Sequence, residues 1–219
     1  MTVLMIPASM LLLFMAVPVF LVFGAGSASA AILDLNLPWS TLIQVSYAAI
    51  TKPVLIAIPL FIFSGLAMLR GGIASRLVNM ATVLVGHWPG GLAISMVLTM
   101  GFFAAFCGSI LAAITAVGTI MMPKMIEQGY PAPFVIVLAA SAALLEALIP
   151  PSNAAIVFSA LTSVPVSKTF AAGILPGLVL MILLMALAVW RCRHIRMTRK
   201  ASRAEIIEAV KAAIPGLVT

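Results

Sequence analysis

The residues able to do chemistry in this chain gather at two interruptions of otherwise apolar sequence. From Ala132 to Ala160 the run is broken only by a few polar residues, chiefly the acid Glu146 and the string Pro150-Pro151-Ser152-Asn153. Two adjacent prolines withdraw two amide donors and release the carbonyls of Glu146 and Ala147 one turn earlier. Oxygens of that kind suit a hard cation. Beyond the prolines, Ser152 or Asn153 can cap a new helix whose free amides and positive dipole end favour an anion at the same spot. In hydrocarbon, a break in the backbone survives only where it lines a cavity or is buried in protein. Paired half-helix ends of this sort hold a coupling ion and an anionic substrate together in transporters. The plainer alternative is a proline-kinked helix with a structural role.

The second interruption is Cys107-Gly108-Ser109, in the middle of Leu92 to Met122. That stretch suffices for two short helices but not for two full spans of about 20 residues each. Gly108 permits a sharp bend and Ser109 can cap the second arm, giving a re-entrant hairpin with its tip there. A single span with a small-residue packing face through Ala104, Ala105, Gly108, Ala112 and Ala113 is the competing reading.

The elements that must position these residues belong to a membrane protein. With 64% hydrophobic and 8% charged residues and a mean hydropathy of +1.27, a chain of 219 residues cannot hide its apolar surface from water. The net charge of +7 does not imply nucleic acid. Arg191, Arg193, Arg196, Arg199, Lys200 and Arg203 follow an apolar span with no acid among them, which marks a cytoplasmic helix end and a contact with anionic lipid. Cys107 and Cys192 give neither a disulfide framework nor a metal spacing.

Along the chain, Met1 to Phe23 reads as a retained first helix kinked at Pro18. Its apolar run is longer than a signal-peptide core and lacks a basic start, although Gly24 to Ala30 resembles a cleavage region. Asp34 to Pro38 reads as a loop, and Leu37 to Ile50 as a short interfacial helix with Trp39 and Tyr47 as anchors. Pro53 to Leu69 is an apolar segment, Ile73 to Val85 a connecting helix, and Gly86 to Gly91 a turn in which His87 is an interfacial polar residue. Pro123 to Pro133 reads as a water-facing loop and Ser163 to Lys168 as a turn. Ala171 to Trp190 is a full span. Ser202 to Ala213 is an amphipathic surface helix with Ala204, Ile207, Val210 and Lys211 on one side and Glu205 and Glu208 on the other. The expected fold is therefore all-α and polytopic, with scaffold-like helices over 1–91, the hairpin and broken helix over 92–164, and the last span, basic tail and amphipathic helix over 165–219.

Several motifs carry a family resemblance. Ile58-Pro59-Leu60-Phe61 through Gly71-Gly72-Ile73, Val85-Gly86-His87-Trp88-Pro89-Gly90-Gly91-Leu92, Gly108-Ser109 with Ala116-Val117-Gly118, Met122-Pro123-Lys124-Met125 to Gly129-Tyr130, Ile149-Pro150-Pro151-Ser152 and Ala172-Gly173-Ile174-Leu175-Pro176-Gly177 resemble the large membrane subunit of tripartite ATP-independent periplasmic (TRAP) transporters. The resemblance implies a sodium-coupled, elevator-type importer of organic acids in the bacterial inner membrane, fed by a periplasmic substrate-binding protein and working beside a small membrane subunit. It implies an ion and substrate site at the hairpin tip, Gly108 and Ser109, and at the break, Pro150, Pro151, Ser152 and Asn153. Oxygen chemistry makes Ser109, Ser152 and Asn153 the expected sodium ligands, Glu146 joins the site as an intramembrane acid, and no other cofactor is expected. Members carry two related halves, and this chain resembles the first, so a C-terminal half is an expected partner. The family pattern has glycine four residues before the first proline of the break, where this chain has Glu146. That carboxyl reads either as a neutral, hydrogen-bonded interior group or as an added cation or proton ligand.

Two other classes compete. A serine hydrolase would need Ser109 or Ser152 beside a base, and His87 and His194 lie at turn and tail positions. A non-transporting membrane partner or truncated remnant is the stronger rival. The basic cluster gives a direct topological expectation: in a background lacking Cys107 and Cys192, a cysteine introduced at Ala201 resists an impermeant thiol reagent added outside whole cells. Ready labelling from outside would invert the topology.

Overall fold

The structure, a computed structural model, describes residues 2–33, 35–195 and 201–218. Asp34 of the expected loop and Arg196, Arg199 and Lys200 of the basic cluster lie outside the described residues. These form helices and turns with no strand among them, and they divide into two compact units, Met1–Lys52 and Pro53–Thr219.

In the first unit, α1 (Thr2–Phe14), α2 (Val19–Leu33) and α3 (Trp39–Ile50) follow one another. The single helix expected over residues 1–23 is instead two helices that pack together. Pro18 lacks an amide donor and pushes the preceding residue out of the helical region, and Ala16 turns the chain at φ +58°. The small-residue stretch continues as helix, and within it Ser27 and Ser29 donate to the carbonyls of Phe23 and Ala25 at 2.8 and 2.7 Å. Helix α3 buries none of its side chains; Trp39 and Tyr47 stand exposed.

The second unit begins with a 3-10 turn, Pro53–Ile56, then α4 (Ala57–Arg70), α5 (Ile73–Val85) and α6 (Gly91–Cys107). Helix α7 (Ile110–Ala113) runs through a π turn (Ile114–Gly118) into α8 (Thr119–Glu127). Then come α9 (Ala132–Ala143), α10 (Leu145–Leu148), α11 (Asn153–Thr162), α12 (Val166–Cys192) and α13 (Arg203–Val218). Helix α6 is the axis of the core. Met96, Val97, Met100, Phe103 and Ala104 are buried along it, and α5, α9, α10 and α12 pack around it.

The structure decides between hairpin and single span. Leu92, in the first turn of α6, lines one cavity with Lys124 and Gln128, whereas a straight helix would hold Leu92 and Lys124 about 48 Å apart at 1.5 Å per residue. The chain has doubled back at Gly108-Ser109. The return arm is longer than expected, since Pro123 lies inside α8 and not in a loop. A π turn just upstream shifts the hydrogen-bond register by one residue and accommodates the missing amide. Tyr130 closes the hairpin's open end: it is buried close to the amides of Leu92 and Ala93, and burial pushes its phenol up to about 12.

Helix α12 starts at Val166, inside the expected turn. Ser163, at φ +59°, ends α11 in a left-handed cap, so the connection needs fewer residues. In α13, which packs on α5, the buried side is centred on Ala209 and Ala213, with Ile207 exposed. The packed side is thus not the expected apolar one, since Ala204 and Ile207 are both exposed. Three helical stretches are long and apolar enough to cross a membrane, at 53–70, 110–127 and 166–192, together with a pair bent by 42°, 132–148 and 153–162.

Gly173 sets the spacing of α12 and α10. A Cβ there would run into the carbonyl of Leu148, so the helices meet backbone to backbone, as small residues allow. Gly173→Val is expected to lower stability by about 1–3 kcal/mol, read as an earlier thermal unfolding midpoint in mild detergent. An unchanged midpoint would mean that α12 does not seat on α10.

Candidate functional site

The two interruptions meet. Helix α6 ends where Gly108 adopts φ +61°, a conformation that glycine takes readily and L residues rarely do. A Cβ at this position would stand 2.5 Å from the carbonyl oxygen of Pro151. Glycine therefore lets the hairpin tip touch the helix break. The Asn153 amide donates to the Gly108 carbonyl at 3.3 Å, and the Ser109 amide donates to Glu146 Oε2 at 3.0 Å. Tip and break are thus joined by one backbone bond and one bond to a carboxyl.

On the break itself, Ser152 performs two jobs. Its Oγ accepts from the Ala155 amide at 3.3 Å, which caps α11, and donates to the Ala147 carbonyl at 2.8 Å. Of the two capping residues left open by the sequence, Ser152 is the cap. One of the two carbonyls expected to face a cation is accordingly occupied. The other, that of Glu146, has no amide offered by Pro150.

A cavity of about 220 Å³ opens here, lined by Gly108, Ser109, Glu146, Ser152, Asn153 and Ala154 among others. Five of the seven residues singled out in sequence therefore share one space. Glu146 is fully buried. Its Oε1 and the Oδ1 of Asn153 are both buried without a hydrogen-bond partner. Two stranded acceptor oxygens beside the positive end of α11 form an environment that suits a hard cation and, next to it, an anion. No three His, Cys, Asp or Glu residues gather among the described residues, and the donor set is one of oxygens.

Pro150 and Pro151 face elsewhere. They line a neighbouring cavity of about 800 Å³ with Phe61, Phe63, Phe106 and Phe170. Those aromatics escaped the sequence reading because a phenylalanine within an apolar span has no contrast with its surroundings. Tandem prolines between two such spans were the one available signal.

A family model described as "Tripartite ATP-independent periplasmic transporter, DctM component" matches residues 4–219. The chain belongs to this family. It is 40% identical over 166 residues to the C4-dicarboxylate TRAP transporter large permease protein DctM of Pseudomonas aeruginosa, covering 75% of this chain and 39% of that protein. It is 34% identical over 180 residues to the isethionate TRAP transporter permease protein DctMQ of Oleidesulfovibrio alaskensis, covering 82% and 28%. With the 2,3-diketo-L-gulonate TRAP transporter large permease protein YiaN of Escherichia coli it shares 36% identity over 154 residues, covering 69% and 36%. The chain spans well under half the length of these three relatives. The DctM family consists of transporter permeases of the inner membrane, not enzymes.

The double role of Ser152 sets an expectation for stability. Ser152→Ala removes the cap and strands the Ala147 carbonyl, at a cost of about 1–2 kcal/mol. Thr162→Val, which removes a hydroxyl bonded only within its own helix to Phe158, should change stability by less than about 0.5 kcal/mol. Thermal unfolding of both variants in one detergent checks this. Equal midpoints would deny Ser152 its role.

Proposed function

We propose that this DctM-family chain is the N-terminal repeat of a sodium-coupled, binding-protein-dependent importer of organic anions, C4-dicarboxylate-like in class and elevator-like in motion. The observation that supports this best is the convergence of two half-helix ends on one oxygen-lined cavity. Ser109, Ser152 and Asn153 serve the sodium ion, Glu146 belongs to the same cavity, and the N-terminal end of α11 attracts the carboxylate of the cargo. The relatives' names give different cargoes. Anion recognition at a helix end is the part common to carboxylates and sulfonates. A periplasmic substrate-binding protein, a small membrane subunit and a C-terminal half complete the working assembly.

A non-transporting membrane partner is the second reading. Reconstitution separates the two. Alone, the chain is expected to show no sodium-driven organic-acid uptake, because a site enclosed between two repeats lacks one wall. Adding a C-terminal half, the small subunit and the binding protein restores uptake if it is an importer and does not if it is a partner. In the restored assembly, Asn153→Leu should raise the sodium needed for half-maximal uptake far more than Asn79→Leu, since Asn79 lies on α5 in a different cavity. Equal sodium dependence in the two variants would move the ion site elsewhere.

A further inference from the structure

Glu146 has features that the family pattern does not explain. It sits wholly buried at the point where hairpin and break meet. Of its two oxygens, Oε2 is held by the Ser109 amide and Oε1 has no partner. Across the same cavity the Asn153 Oδ1 is also buried and unpartnered. Two acceptors cannot satisfy each other, so with Glu146 ionised a donor or a cation is needed in this cavity.

The surroundings offer no counter-charge. Helices α7, α9 and α11 carry no titratable side chain. Helix α12 meets α10 at Gly173 and Gly177, while its Lys168, Arg191 and Cys192 lie near its two ends. The titratable group that faces Glu146 is Cys107 at the end of α6, which supplies no positive charge. A buried carboxylate without a counter-ion is strongly disfavoured. It would also repel the anionic cargo proposed for the α11 terminus.

We propose that Glu146 is a charged ligand of the cation held between the hairpin tip and the helix break, with Oε1 and the Asn153 Oδ1 as two of its oxygens. Where the family pattern has a glycine, this chain adds a carboxylate. The cation and Glu146 together are neutral. Ion binding here therefore removes a repulsion from the anion's path, so that ion and cargo bind cooperatively through charge cancellation. This rests on the proposed sodium coupling.

Every oxygen invoked lies in this chain, so binding of radioactive sodium can be measured on the full chain in lipid nanodiscs at constant ionic strength. Glu146→Gln is the deciding variant. It keeps the shape and the bond from Ser109, offers an amide donor to Asn153, and removes only the charge. Sodium affinity should fall about tenfold or more. Without sodium, the variant should unfold at a higher temperature than the wild type, and sodium should raise its midpoint less. A glutamine that preserves both affinity and midpoints would overturn the proposal while leaving sodium coupling intact, because a neutral Glu146 donating to Asn153 predicts that result. A wild-type chain that binds no sodium would overturn this inference, while the sodium dependence of uptake in the restored assembly tests the coupling separately.

Discussion

Backbone groups in hydrocarbon must find partners within the protein, and the architecture of the second unit follows from that requirement. Two places violate the helical ladder, Gly108-Ser109 and Pro150 to Ser152. Neither is tolerable alone. Brought together, each supplies what the other lacks: the Asn153 amide meets the Gly108 carbonyl, the Ser109 amide meets the Glu146 carboxyl, and the Ser152 hydroxyl takes up the Ala147 carbonyl. Helix α6 and the bent pair are consequently fixed to one another at these interruptions. The rest of the core, with α5, α9 and α12 around α6, holds that junction in place.

Much of this was legible in the sequence because the breaks are written in residues with strong backbone consequences. Tandem prolines and a Gly-Ser pair inside apolar runs announce interruption wherever they occur. Their meeting could not be read from spacing alone, since it depends on a glycine that leaves room for the Pro151 carbonyl. Where the reading failed, a local signal was overridden. Pro123 signalled a loop, but it lies within the first turns of α8, just after the π turn, and the helix runs on. Pro18 was read as a kink and became a full break, because Ala16 turns the chain through a positive φ just before it.

The last helix shows a different limit. Its pattern of Ala204, Ile207 and Val210 against Glu205 and Glu208 describes a helix lying on a membrane surface. In the structure, α13 instead rests on α5 through Ala209 and Ala213. Alanine contributes little to an amphipathic pattern yet permits the closest helix contacts. Hydrophobic periodicity reads where apolar surface is largest, and here packing follows where side chains are smallest.

The junction that solves the backbone problem also gathers polar groups there that the rest of the unit lacks. Helical backbone has no spare polar groups to give a ligand, so backbone ligands arise only where the ladder is broken. Every break, however, leaves groups that the protein itself competes to satisfy. Ser152 wins the Ala147 carbonyl and Ser109 wins one Glu146 oxygen, which removes two candidate ligands from the cavity. Among the buried side-chain atoms, Glu146 Oε1 and Asn153 Oδ1 are left without a partner. Both are side-chain atoms on the break, and both are set by single residues. The hairpin and break therefore provide the place, while the identity of the residues at 146 and 153 decides what charge the place carries.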